Sequence, residues 1–181
     1  MHKEPKHINE IIDGCKRDDS KAQEQLYRYF YQSMMNLCIR YTKCEEDSKF
    51  VLNSGFLKVF ENIKEYDLSK AAFYTWIRMI MVNCCLDYLK SKRNKIVINE
   101  LQEAEPLNIE PEVIRKMEVE KILNLVRDIP PATQAVFNLY IMEGYDHKEI
   151  ASLLQISEGT SRWHLSEARK SLKLQLQREN V

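Results

Sequence analysis

Apolar residues recur along this chain at steps of three and four, the spacing of one helix face. Over 20–43 the face is Leu26, Tyr29, Phe30, Ser33, Leu37 and Tyr41, with Asp18, Asp19 or Ser20 placed to cap its start. A second helix is predicted over about 46–63, with Leu52, Phe56, Val59, Phe60 and Ile63 on one stripe. The polar stretch KEYDLSK (64–70) reads as a loop, with Ser69 as the N-cap of a third helix over about 71–93. That helix carries Phe73, Trp76, Ile77, Ile80, Cys84 and Tyr88. Three helices with wide apolar faces can enclose one core.

The period then lapses. INELQEAEPLNIEPE is acidic, holds two of the five prolines and reads as a linker, with at most a short helical turn. Val119, Ile122, Leu123, Val126 and Ile129 mark a further short helix, and Pro130–Pro131 interrupt it and can start the next. Gly144 closes that one. Asp146 with Glu149 makes a capping-box start, Leu153–Ile156 form a turn, and Ser157 is the N-cap of a last helix buried through Leu165, Ala168, Leu172 and Leu176. Two short helices, a tight turn and a longer basic helix describe a helix-turn-helix, with Gln155 where the turn often has glycine. The expected architecture is all-α, with domains at 1–95 and 119–181 and an acidic linker at 96–118.

Composition supports helices. Four glycines among 181 residues, about 2%, fall well below the roughly 7% that is typical, and hairpins need glycine. No apolar run approaches the roughly 18 residues of a membrane span, and MHKEPKHINE lacks the apolar core of a signal peptide, so a cytoplasmic protein is expected. Five cysteines with no CxxC, and four histidines without paired spacing, give no disulfide framework and no metal site. There is no glycine-rich phosphate loop, GxSxG or HExxH, so neither enzyme activity nor a cofactor is expected.

Charge changes the picture. The totals balance at 27 against 27, yet residues 1–95 hold 17 Lys/Arg against 13 Asp/Glu and residues 96–120 hold 2 against 7. Arg78, Lys90, Lys92, Arg93 and Lys95 face only Asp87 in their stretch, and Arg162, Arg169, Lys170, Lys173 and Arg178 face only Glu167 in theirs. Two basic helix faces, one in a helix-turn-helix, suit phosphate contacts. The start of the last helix offers Ser157, Glu158, Thr160, Ser161, Arg162 and His164 for base edges or phosphates, with Arg169 further along. Trp163 suits packing or an apolar DNA contact equally. Tyr66, Phe73, Tyr74 and Trp76 lie beside positive charge, as rings that stack on unpaired bases do, although Phe73 and Trp76 also suit a core.

These stretches resemble a bacterial RNA polymerase sigma factor of the extracytoplasmic-function type, over about residues 20–178. AQEQLYRYFY, FVLNSGFLKVF, FYTWIRMIMVNCCLDYLKSKRN and IPPATQAVFNLYIMEGYDHKEIASLLQISEGTSRWHLSEARKSL carry the resemblance, in the family's order. The resemblance implies a factor that joins core RNA polymerase through clamp and flap contacts. It would read and melt the −10 element with its first domain and read the −35 element with its second. Trp76, Arg78, Asn83 and Asp87 match the −10-reading helix, which Lys90 and Arg93 extend. The loop from Tyr66 to Ala72, including Lys70, matches the segment that captures an extruded base. The helix from Asp47 to Phe60 matches the polymerase-docking surface, through Asp47, Asn53, Ser54, Phe56 and Lys58. The acidic linker resembles the segment threaded toward the RNA exit path, and an anti-sigma factor is an implied partner. Ser54 replaces an acidic residue and Asn53 a common glutamine; Trp163 and Glu167 also depart from the family pattern. The alternatives are a stand-alone helix-turn-helix regulator that binds duplex operators, and a protein that imitates a sigma factor to sequester its inhibitor.

Overall fold

The computed structural model describes residues 7–93 and 124–179, and they are helical with no strand among them. The chain divides into two compact units, Met1–Ser91 and Lys92–Val181. The N-terminal unit holds α1 (Ile8–Lys16), α2 (Ser20–Ile39), α3 (Glu45–Asn62), a single 3₁₀ turn (Ile63–Glu65) and α4 (Phe73–Arg93). The C-terminal unit has helical backbone at 124–127, then α5 (Pro131–Phe137) running into a π turn (Asn138–Met142), α6 (His147–Leu154) and α7 (Glu158–Glu179). The acidic linker, and the predicted positions Val119, Ile122 and Leu123, lie outside the described residues.

In the N-terminal unit the apolar stripes meet in one core. Leu26, Phe30, Met34 and Leu37 of α2 pack with Val51, Leu52, Phe56 and Val59 of α3 and with Phe73, Ile77 and Met81 of α4, all 2% exposed or less. Burying such a side chain contributes about 1.5–3 kcal/mol, so this core is the main force holding the unit together. Asp19 is the cap of α2, its side chain accepting a hydrogen bond from Lys21 N at 2.9 Å. Gly14 lets α1 cross close to α2, since a Cβ there would sit 2.6 Å from that of Ala22. Helix α1 itself is a correction to the sequence reading, which begins its first periodic segment at residue 20. Its buried residues Ile8, Ile12 and Cys15 recur at steps of four and three. Ser69 is not a helix cap either. The Asp67 carboxylate accepts from Ser69 N and Ser69 Oγ, closing a turn inside the loop, and α4 begins four residues later.

The C-terminal unit follows its capping chemistry. Pro131 occupies the first turn of α5, where its missing N–H costs nothing. The predicted plain helix up to Gly144 instead widens into the π turn, with Glu143 N donating to Asn138 O at 3.0 Å. Gly144 then reverses the chain at φ 80°. Asp146 and Glu149 form the predicted capping box, with both bonds at 2.8 Å. Val136, Phe137, Leu139, Ile150, Leu165, Ala168 and Leu172 make the core of this unit.

Candidate nucleic-acid interface

Helix α4 turns Phe73, Ile77, Met81, Cys84 and Cys85 inward, and this decides what remains outside. Among its described side chains Thr75, Met79, Asn83, Asp87, Lys90 and Ser91 are exposed, with Trp76 and Arg78 half-buried beside them. Trp76 leans on a ring cluster, its centroid 5.3 Å from Tyr66 and 5.5 Å from Phe73. Two rings of that cluster are structural. Phe73 is fully buried and packs against Phe30 at 5.6 Å. Tyr66 is 6% exposed, donates its hydroxyl to Ala71 O and lies under the Lys16 ammonium at 5.9 Å. The sequence offers Tyr66 as a nucleic-acid contact and leaves Phe73 open between contact and core; burial removes from both the open face that stacking on a base requires. Trp76 and Tyr74 are the predicted rings that keep a partly open face.

Beyond that cluster the loop after the 3₁₀ turn is an outward projection. Lys70 is exposed, and Leu68 at its tip is 60% exposed. Hydrogen bonds from Ser69 hold the Asp67 carboxyl below its usual range, so the turn is fixed by an ionised group. An open cleft of about 220 Å³ lies between this loop and α1, lined by Asn9, Ile12, Asp13, Lys16, Tyr66 and Leu68. The four α1 residues are absent from the sequence reading, because only the tertiary fold brings α1 to the loop. Arg93 is the last residue of α4.

The docking residues inferred for α3 separate into surface and core. Asn53 is exposed and accepts a hydrogen bond from the Tyr27 hydroxyl at 3.1 Å, while the half-buried Ser54 donates to Phe50 O. Lys58 reaches α4 and pairs with Asp87 at 3.2 Å, which raises the lysine pKa. Asp47 accepts the Tyr88 hydroxyl at 2.6 Å. Phe56 is 2% exposed and its ring packs tilted against Tyr27 at 4.5 Å, so it is a core residue and not a contact surface. The apolar outer face belongs to Phe50 and Leu57, 66% and 59% exposed and two turns apart. Sequence reasoning named neither, because both lie off the predicted stripe and an apolar residue there carries no signal of its own.

In the C-terminal unit the turn between α6 and α7 carries Gln155 in the left-handed region at φ 57°. Ile156 N closes it onto Ala151 O at 3.0 Å. Ser157 caps α7, its Oγ accepting from Thr160 N at 3.0 Å and lying 2.9 Å from Thr160 Oγ1. Glu158 and Arg162 pair across one turn at 2.9 Å, both exposed, and Lys170 and Lys173 are exposed further along. Arg169 is half-buried. Two predicted contacts point the other way. Ser161 is completely buried with its Oγ 2.9 Å from His147 Nδ1, and His164 is 6% exposed with its Nδ1 2.9 Å from Thr133 Oγ1. Both sit on the inner face, three residues apart, so neither can meet DNA as the sequence reading has it. Trp163 is half-exposed and meets the His164 ring edge-on at 4.8 Å.

Among the described residues no cluster of three His, Cys, Asp or Glu could hold a metal ion, and no helix is long and apolar enough to cross a membrane.

Two family profiles match the chain: that of sigma-70 region 2 over residues 26–95 and that of sigma-70 region 4 over residues 120–172. Among curated proteins the chain is similar to the ECF RNA polymerase sigma-E factor of Haemophilus influenzae. The two are 23% identical over 180 residues, covering 92% of this chain and 94% of the relative. It is 21% identical over 152 residues to the ECF RNA polymerase sigma factor SigM of Bacillus subtilis, covering 83% and 92%. Among solved structures it is similar to CnrH in complex with the cytosolic domain of CnrY, with TM-score 0.52, 15% identity and 92% and 95% of the chains covered. It is also similar to the sigma factor RpoE in complex with the anti-sigma factor NepR from Bartonella quintana, with TM-score 0.56, 12% identity and 85% and 96% covered. At those identities the structural likeness is one of fold.

Proposed function

Because the chain belongs to the sigma-70 family of RNA polymerase sigma factors, of the extracytoplasmic-function type, we propose that its two units divide promoter recognition between them. The protein binds core RNA polymerase and directs promoter-specific initiation. The N-terminal unit reads and opens the −10 element, and the C-terminal unit reads the −35 element. One observation carries this division: all but the last four residues of the region 2 profile fall in one compact unit and the region 4 profile in the other. A stand-alone operator-binding regulator has no use for the first of them.

In this reading Trp76, Arg78, Asn83 and Lys90 meet the −10 strands, with Lys70 and Leu68 at the loop that takes an extruded base. Bases stack on the open face of Trp76 while lysine and arginine meet phosphates. Asn53, Ser54 and Lys58, flanked by the exposed Phe50 and Leu57, form the clamp contact. Arg162 and Glu158 face the major groove from the start of α7, with Ser157, Thr160 and Arg169 toward the backbone. The linker at 96–118 lies in a cationic channel of the polymerase, and the C-terminal unit meets the flap. An anti-sigma factor is a proposed partner, on the likeness to a sigma factor solved with one. The chain works in the cytoplasm with its polymerase and supplies no catalytic group, bond formation staying with the polymerase.

The test is reconstitution. Core polymerase mixed with this protein is expected to initiate at sites enriched from a randomised promoter pool, and a photocrosslinker at position 76 is expected to label the non-template −10 strand. Failure to co-purify with core polymerase at low salt, together with operator binding by the protein alone, would overturn the proposal in favour of the regulator.

A further inference from the structure

Two histidine hydrogen bonds lie on the inner side of α7, one from His147 of α6 and one from His164 of α7 itself. His147, the first residue of α6, is half-buried, and its ring stacks on Tyr140 with centroids 4.6 Å apart and planes 25° apart. Its Nδ1 lies 2.9 Å from the hydroxyl of Ser161, which is completely buried and immediately precedes Arg162. One turn further along α7, His164 makes the matching bond to Thr133 of α5.

We propose that His147 is a positioning residue for −35 recognition: held flat by Tyr140, it fixes the rotation of α7 through Ser161 and so aims Arg162 and Trp163 at base edges. The proposal rests on the sigma-factor reading above. The rest of the inner face of α7 is Leu165, Ala168 and Leu172, whose burial is favourable over a range of rotations because apolar packing has no direction. A hydrogen bond has direction. With side chains a helix is about 5–6 Å in radius, so a 20° turn moves a side-chain tip by about 2 Å, enough to lose a base contact. The two histidine bonds grip α7 from different helices at residues three apart, which resists rotation and sliding together. Burial, and then the positive charge of Arg162 and Arg169, push His147 below its ordinary pKa, with Glu158 and Asp146 opposing. A neutral ring serves the bond in either tautomer, accepting the Ser161 proton at Nδ1 or donating one there.

Wild-type holoenzyme first selects a −35 duplex from a randomised pool, and the probes are that duplex and its scrambled version. His147→Phe keeps a ring for Tyr140 and removes the nitrogen; Ser161→Ala removes the hydroxyl. Each is expected to lower the selected-to-scrambled affinity ratio by roughly fivefold, the usual scale of one buried hydrogen bond, and the double variant by no more than either alone. His147→Gln, whose amide can reach the hydroxyl, is expected to keep more of the ratio than His147→Phe at equal thermal stability. An unchanged ratio in both single variants, or equal losses on the two probes, overturns the inference while leaving the sigma-factor reading in place. If the wild-type holoenzyme enriches no sequence, the reading beneath it falls.

Discussion

At the scale of single residues, exposure separates readers from supports within one motif. Arg162 and Glu158 are exposed and paired across one turn, which restrains the guanidinium on the outer face of α7. Arg162→Ala is expected to cost about 1–3 kcal/mol on the selected −35 duplex and much less on scrambled DNA. Equal loss on both, by equilibrium binding, would mean a phosphate contact. Phe73 and Trp76, three residues apart, are expected to diverge in the same way. Phe73→Ala removes a fully buried ring and is expected to destabilise the N-terminal unit by about 3–5 kcal/mol in urea unfolding. Trp76→Ala is expected to spare most of that stability and to impair open-complex formation, followed by permanganate footprinting.

His147 adds a pH dependence at the same scale. Its folded pKa lies below the ordinary value of 6.5, so the unfolded chain takes up the proton more readily. The stabilising contribution of the neutral ring is complete above 6.5 and is lost as pH falls through the lower folded value. Urea midpoints for the C-terminal unit are therefore expected to fall more between about pH 7.5 and pH 5 in the wild type than in His147→Gln.

At the scale of elements, caps and turns account for most boundaries. The capping box at Asp146–Glu149, the cap at Ser157 and Pro131 at the start of α5 follow from local bonding rules that need only neighbours in sequence. The turn at Gln155 is the exception that tests them. A left-handed conformation costs a non-glycine residue about 1–2 kcal/mol, so Gln155→Gly is expected to raise the thermal midpoint of the C-terminal unit despite glycine's greater unfolded entropy. Helix α1 eluded the pattern because its nine residues hold only three large or thiol side chains in the core, Ile8, Ile12 and Cys15, too few repeats to define a period. The π turn eluded it because a widened turn shifts the register of its side chains by one residue, and no residue type signals that.

At the scale of the whole molecule, a formal charge of zero describes no part of the chain. Basic positions on α4 and α7 are offset by the acidic stretch at 96–120. Affinity for DNA depends on local Lys/Arg near phosphates, so binding by the holoenzyme is expected to weaken steeply with salt despite that neutrality. Deleting residues 100–112, which carry five glutamates, changes the net charge without touching either basic face. The salt slope of −35 binding is expected to stay unchanged in that variant while transcript initiation drops.

Sequence alone determined the helical class, the two-part division, the caps of α6 and α7 and where basic residues concentrate. Each rests on periodicity, backbone bonding or local charge, which neighbouring residues set among themselves. Tertiary structure decided which side of each helix remains open. Tyr66, Ser161 and His164 moved from expected contacts to internal supports, Phe73 and Phe56 were settled as core, and Phe50, Leu57 and Leu68, which the pattern left unplaced, lie outward. An aromatic or hydroxyl residue suits a core and a binding surface alike, and only the packing of distant helices against it settles which one it joins.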